Sequence, residues 1–195
     1  MTTAQKACGA CSLCCKIVAV SDLDKPAHQW CVHNRPGKGC AIHGSHPDVC
    51  KAWQCGWILM PQLDERWKPD ACGFIIRNRY GSRQLVIDVE PTRPDVWRKE
   101  PFHSRIRGWA QSSRSAGQYV VVCAGRREIA VFAEEEIDLG VLGPGETAEM
   151  TYRDQGAFSR PVVLIRSAEG RLLREVAGRL GPKAGASVSL PRTSR

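Results

Sequence analysis

The chain has 195 residues, 43% hydrophobic, 25% charged and 7% aromatic, a composition that belongs to a globular protein and excludes disordered and fibrous classes. Its longest apolar run, Tyr119 to Ala124, is far short of the ~18 residues a membrane-spanning helix needs, which excludes a membrane-embedded helical protein. The net charge of +8 is +4 over residues 1–80, −2 over 81–150 and +6 over 151–195; spread over Arg153, Arg160, Arg166, Arg171, Arg174, Arg179 and Lys183, the excess reads as a diffuse positive face rather than a nucleic-acid groove.

The N-terminus Met-Thr-Thr-Ala-Gln-Lys reaches Cys8 with no apolar stretch or cleavage site, so the expected location is cytoplasmic. In a reducing compartment ten cysteines point to metal binding or thiol chemistry rather than structural disulfides. Nine of the ten lie between Cys8 and Cys72, which divides the chain into a cysteine-cluster module over 1–72, a remainder over 73–177 and a flexible basic tail over 178–195.

Cys11, Cys14, Cys15 and Val18 fall at i, i+3, i+4 and i+7, predicting a helix from Cys11 to about Ser21 with its cysteines on one face. From Lys25 to Gly44, Pro26, Pro36, Gly37, Gly39 and Gly44 punctuate loops that a metal rather than an apolar core would order. Phe74 to Ile76 and Gln84 to Val89 predict a hairpin about Arg79-Tyr80-Gly81-Ser82, ended by Pro91 and Pro94. Pro101 suits the start of a helix, and Phe102, Ile106 and Trp109 carry its apolar stripe to about Ser115. Strands follow at Tyr119–Ala124, Glu128–Ala133, Thr147–Tyr152, Pro161–Arg166 and Arg171–Val176. The expected fold is α+β: a loop-rich metal module packed with a small antiparallel sheet and one or two short helices.

The chemistry lies in the cysteine spacing. Cys8, Cys11, Cys14 and Cys15 form CxxCxxCC, and Cys31, Cys40, Cys50 and Cys55 follow. Thiolates two residues apart can converge on one centre, and soft sulfur selects zinc or iron–sulfur over magnesium or calcium. The adjacent Cys14 and Cys15 point about 100° apart on a helix, so a single centre does not readily take both. Either two centres exist, or one of the pair has another role. Ser12 after Cys11 excludes a c-type haem site, the spacing is not the CxxxCxxC of radical adenosylmethionine enzymes, and Val18 stands where a bacterial ferredoxin run needs its fourth cysteine.

Residues 8–57 resemble the CxxCxxCC family of zinc- or iron-chelating, YkgJ-like cysteine-cluster proteins. The resemblance is carried by Cys8-Gly-Ala-Cys11-Ser-Leu-Cys14-Cys15, Lys25-Pro26, Trp30-Cys31, Gly39-Cys40-Ala-Ile42-His43 and His46-Pro47-Asp-Val-Cys50-Lys-Ala-Trp53-Gln-Cys55-Gly-Trp57. It departs from the family at His46, where arginine is usual, and at His43, where tyrosine is frequent. The resemblance implies a metal or iron–sulfur centre on Cys8, Cys11, Cys14, Cys15, Cys31, Cys40, Cys50 and Cys55, with a 4Fe-4S cluster slightly favoured over Zn2+. A related module in flagellin lysine methylases supplies a methylase reading by analogy alone; a zinc-stabilised adaptor without catalysis is the other alternative.

His28, His33, His43 and His46 lie among the cysteines and are expected more as hydrogen-bond partners of the centre than as ligands. Trp30, Trp53 and Trp57 are expected to form the module's core or shield a redox centre. Cys72 is a weaker candidate ligand, and Cys123, in an apolar strand, a core residue. Asp88 with Glu90, and Glu134 to Glu136, read as solvated faces. No HExxH, GxGxxG or phosphate loop is present; Gly143-Pro144-Gly145-Glu146 is a turn. Whether the protein is an enzyme, and what its redox or protein partner is, the sequence leaves open.

Overall fold

Turn-forming residues and sparse apolar ones leave the chain between Cys8 and Gly44 with little regular structure. The computed structural model, which describes residues 6–79, 84–113 and 119–183, gives this stretch one α-helical turn, α1 (Cys14–Ile17), one 3-10 turn (Ser21–Leu23), and a two-residue antiparallel ladder of β1 (Asn34–Arg35) and β2 (Gly39–Cys40). The helix expected to run from Cys11 to Ser21 is only the turn of α1. Val18 is extended, and Val20 bridges to Lys25 through backbone hydrogen bonds of 2.9 and 3.0 Å, so the β-branched residues favour extended chain over helix. Three further short helices follow: α2 (Asp48–Ala52), α3 (Gly56–Leu59) and α4 (Pro69–Cys72). Proline opens α4, and Gly73, at φ +80°, ends it in a left-handed conformation suited to glycine.

The apolar runs beyond it build a central sheet of β3 (Phe74–Asn78), β4 (Gln84–Val89), β5 (Tyr119–Ala124), β6 (Arg127–Val131) and β7 (Glu136–Val141), side by side in that order. β3 and β4 pair antiparallel as expected of a hairpin; residues 80–83 of its turn lie outside the described ones. β4 and β5 are parallel, and the chain between them includes α5 (Phe102–Ser113). A parallel pair needs such a long crossover. Residues 114 and 115, the expected end of this helix, are not described. β7 was not expected, because its acidic flank hides an alternation in which only Ile137 and Leu139 turn inward.

A second, antiparallel sheet has β9 (Phe158–Arg166) at its middle, paired along its length with β8 (Thr147–Gln155) and end to end with β10 (Leu172–Ala177) and β11 (Gly181–Pro182). The first residues of the expected tail belong to this sheet. Gly178 donates to the Pro161 carbonyl at 2.8 Å and Lys183 to that of Ala157 at 3.0 Å; residues 184–195 lie outside the described ones.

The molecule is therefore an α+β fold with the central sheet in its middle layer. On one face Trp57, Trp67, Phe74, Trp97 and Ile106 share a core with the short helices and α5; on the other, Val121, Leu139, Met150, Val163 and Ile165 join the two sheets. Trp67, Phe74 and Phe102 pack edge to face, with centroids 4.9 to 5.9 Å apart. The first core includes Cys55, Trp57, Leu63, Trp67 and Cys72, so the division expected after residue 72 is bridged by shared packing.

The cysteine-rich region also grips β3 from its second face, where Leu13 and Ile17 pack on Ile75. Gly56 fits against the strand only because it lacks a side chain, since a Cβ there would lie 2.7 Å from the Ile76 Cβ. Among the described residues no helix is long and apolar enough to cross a membrane.

Candidate metal centre

The ten cysteines separate by environment. Cys72 and Cys123 are buried in the cores beside the central sheet. The Cys72 thiol donates to the Phe74 carbonyl at 3.2 Å, and burial pushes it up to about 12; burial likewise raises Cys123, 4.0 Å from the Arg79 guanidinium. Neither has the thiolate character of a reactive or ligating sulfur. Of the eight spaced cysteines only Cys55 is buried, while Cys11, Cys14, Cys15, Cys31, Cys40 and Cys50 are half-buried and Cys8 is exposed. All ten thiols are free.

Backbone hydrogen bonds and two lysines set the positions of the eight. The Lys6 ammonium binds the Trp57 carbonyl at 3.0 Å, the Met60 carbonyl at 2.7 Å and the Leu63 carbonyl, which ties the start of the cysteine run to α3. Cys55 is the residue preceding α3, so this latch draws Cys8 towards it. The Cys11 N–H donates to the Cys8 carbonyl at 3.0 Å, closing a turn. The Cys31 N–H donates to the Cys15 carbonyl at 2.9 Å, the Asn34 N–H donates to the Cys31 carbonyl at 3.0 Å, and Asn34 lies opposite Cys40 in the β1–β2 ladder. Cys50 lies within α2.

Lys25 is 7% exposed, a burial that a lysine tolerates only when its ammonium is fully occupied. It donates to the carbonyls of Lys16 at 3.2 Å, of Pro26 at 3.0 Å and of Val18. Burial lowers its pKa, and the sulfurs of Cys31, Cys15, Cys14 and Cys50 oppose that shift. A cation is thus buried where thiolates would need one. Proximity to Cys15 first, and burial second, raise Cys14, while the same proximity, aided by Lys25, brings Cys15 down to about 7. Burial is the main cause raising Cys8, Cys11 and Cys50, with neighbouring sulfurs adding to it.

The histidines frame this region. His43 and His46 stack with centroids 5.1 Å apart, and His46 Nδ1 accepts from the Gly44 N–H at 3.1 Å. His28 Nδ1 and Asn34 Oδ1 are buried without a partner among the described residues, both in the loops that carry Cys31 and Cys40. Of the tryptophans, Trp57 is core and carries Lys6 and Lys68 over its ring at 5.0 and 5.5 Å. Trp53 is half-buried, packed against two cores. Trp30 is exposed beside Lys16.

The donor set fits a thiophilic metal: eight sulfurs, buried cationic charge and orphaned polar atoms beside them. Among the described residues, however, no three His, Cys, Asp or Glu side chains converge to ion-holding distance. Holding a metal would require the sulfurs to close by side-chain rotation and loop adjustment, the usual coupling of ligand order to metal binding.

The carboxylate readings need correction. Asp88 and Glu90 do not form a solvated face but are buried, Asp88 against Arg77 at 2.5 Å and Glu90 against Lys16 at 2.6 Å. Glu135 accepts from the Arg179 N–H at 2.6 Å, and Glu136 binds Arg98 at 2.5 Å and His103 at 2.8 Å, so only Glu134 of that run is exposed. The roles of Lys6 and Lys16 escaped sequence reasoning, because their partners lie 51 to 74 residues away. Lys25 had a signal, its place in the quoted Lys25-Pro26 pair. No protein-family model, curated protein or solved structure matches the chain.

Proposed function

We propose that this chain is a metal-binding cysteine-cluster protein whose centre is held by Cys8, Cys11, Cys14, Cys15, Cys31, Cys40, Cys50 and Cys55, with an iron–sulfur cluster of the 4Fe-4S kind favoured over Zn2+. The observation that carries the reading is the sorting of the cysteines: of the spaced eight, seven lie outside full burial and four, Cys14, Cys15, Cys31 and Cys50, surround the buried Lys25, while the unspaced two are core. The resemblance of residues 8–57 to the CxxCxxCC proteins supports the same conclusion and supplies the preference for iron.

The group would supply a one-electron couple if it is iron–sulfur, and structural cross-linking alone if it is zinc with four protein ligands. The protein's own part is definite in chemical terms. Lys25 would offset thiolate charge, and the latch of Lys6 holds the segment entering Cys8 against α3.

A second reading, a zinc-stabilised adaptor, is favoured by exposed Leu172 and Leu173 on β10 and Leu180 just before β11, 42% to 51% accessible. A lysine-methylase activity rests on family analogy, and its substrate is unassigned. Purification without oxygen, followed by an absorption spectrum and analysis for iron, sulfide and zinc, separates the readings. Broad absorption near about 400 nm with matched iron and sulfide is expected. Colourless protein carrying zinc would select the adaptor, and metal-free protein that takes up neither metal would remove the proposal.

A further inference from the structure

We infer that the end of α3 is a binding site for a primary ammonium group, a cup of three carbonyls beside the Trp57 ring, and that Lys6 fills it as a ligand tethered to the chain's own N-terminal segment. The site is made of backbone oxygens and an indole ring, not of sulfurs, and it stands whether or not the cysteines hold a metal.

The sequence makes the cup by leaving a donor out. In a helix the Trp57 carbonyl would accept from the N–H four residues on, but that residue is Pro61, which has none. The helix stops at Leu59, and its last carbonyls are left to find partners outside it. The chain then folds back on itself. The Leu63 N–H donates to the Met60 carbonyl at 3.1 Å and the Trp57 indole N–H to the Asp64 carbonyl at 3.0 Å, which brings the Leu63 carbonyl round to those of Trp57 and Met60. All three oxygens reach one point, where Lys6 Nζ lies 3.0 Å from that of Trp57, 2.7 Å from that of Met60 and in hydrogen-bond contact with that of Leu63. The same nitrogen is 5.0 Å from the centre of the Trp57 ring.

This arrangement suits one chemical class. An alkylammonium carries three N–H donors, one for each oxygen, on a compact positive charge that is favoured both at the carbonyl end of a helix and over an indole face. A guanidinium is planar, with its donors fixed in a fork, and does not converge three of them on such a cup. A quaternary ammonium has the charge and no donor.

Lys6 is an occupant of the cup and not part of its wall. Lys25, also held by three carbonyls, is 7% exposed and takes them from its own loop, at Lys16, Val18 and Pro26. Lys6 is only half-buried, and its oxygens lie 51 to 57 residues further on, so its side chain enters from a separate segment. Docking it holds down the run to Cys11. A Cβ on Gly9 would lie 4.0 Å from Lys68 Nζ, which is itself over the Trp57 ring, and a Cβ on Gly39 of β2 would lie 3.0 Å from the Gly9 carbonyl oxygen. Residues 6–11 are a strap between α3 and the β1–β2 ladder, and filling the cup keeps the strap in place.

The test is chemical rescue, read by amide hydrogen exchange on the reduced full chain at constant ionic strength. Lys6→Ala should speed exchange of the Met60, Leu63 and Cys11 amides by about tenfold or more, as hydrogen bonds from a charged donor are lost. Methylammonium should slow that exchange again, whereas tetramethylammonium should not, and wild-type exchange should respond to neither salt because the cup is full. Lys6→Arg, which keeps the charge without the three-donor fit, should remain unprotected. Unchanged exchange in Lys6→Ala, equal slowing by both salts, no slowing by methylammonium, or full protection in Lys6→Arg would each overturn the assignment. Should the variants fail to fold, the wild-type chain decides: the Lys6 ammonium protons should exchange slowly enough with water to give their own resonance in a heteronuclear spectrum, and the lack of that resonance would overturn the docking.

Discussion

The two halves of this molecule are held by different forces. From Phe74 onward, strands bury Val86, Ile87, Val120, Val121, Val122, Val163 and Ile165 completely, and the order of the sheets follows from removing that apolar surface from water. Between Cys8 and Gly44 the buried apolar side chains are Leu13, Ile17 and Val20. Position there is set by backbone hydrogen bonds and by lysines that cap groups of carbonyls. A region of the first kind keeps its shape without a ligand. One of the second kind has its side chains free to respond to a ligand, which is what a centre assembled around metal requires.

The comparison breaks most directly at the seam. Phe74 is fully buried and touches both Trp67 of the first region and Phe102 of the second. Phe74→Ala is expected to cost about 3–5 kcal/mol, and tryptophan fluorescence and far-ultraviolet dichroism should shift together in urea. A loss under about 1 kcal/mol, against that same range, would mean that the aromatic seam does not join the halves.

Gly56→Ala should come next. Its Cβ would meet Ile76 at 2.7 Å, so α3 must move off β3, at about 1–3 kcal/mol by the usual cost of overpacking. Hydrogen exchange should quicken around Cys55 and α3 and stay unchanged in β5. Equal loosening of both would contradict the division into two kinds of order.

Lys25→Met keeps the buried stem and removes the ammonium. Three carbonyls then lose a donor, an expected cost of about 1–3 kcal/mol. The effect should appear as faster exchange between residues 15 and 35, with the double-sheet region untouched. A stabilised variant would show that the desolvated charge outweighs its hydrogen bonds.

The same contrast governs what the sequence revealed. β5 was legible to the residue because Tyr119 to Ala124 is continuously apolar, and the β3–β4 hairpin because both runs are bounded by turn residues. The parallel pairing of β4 with β5 was not, since nothing local encodes which strand a crossover returns beside. β7 was hidden by Glu134, Glu135 and Glu136, of which the fold pairs the last two with groups 33 to 44 residues away. In the cysteine region spacing exposed the candidate sulfurs; Cys14, Cys15, Cys31 and Cys50 lie around Lys25 and Cys55 precedes α3, but among the described residues no three ligating side chains converge. Spacing could not show that Lys6 reaches α3 or that Lys16 meets Glu90, because a lysine's partner leaves no mark in the residues beside it.

The smallest expected effect separates the ion pair between the halves from one within the outer sheet. Lys16 and Glu90 meet at 2.6 Å with side chains only 18% and 8% accessible; Arg153 and Glu175 meet at 2.7 Å on the open surface. Burial pushes the Glu90 carboxyl up, but the hydrogen bonds from Lys16 and Thr92 outweigh it and hold the group below its usual value. A carboxyl depressed in the folded state adds stability that is fully present above its unfolded pKa of about 4.3 and is lost as pH falls through the lower folded value. Lys16→Met should therefore lower the urea midpoint at neutral pH, and the difference from wild type should fade as acid protonates Glu90 in both proteins. Arg153→Ala should leave the midpoint unchanged at neutral pH, since an exposed pair gains little over water. If Arg153→Ala shifts the midpoint as much as Lys16→Met, the contact between the halves is no stronger than a surface pair, and Leu13, Ile17 and Ile75 alone hold α1 to the sheet.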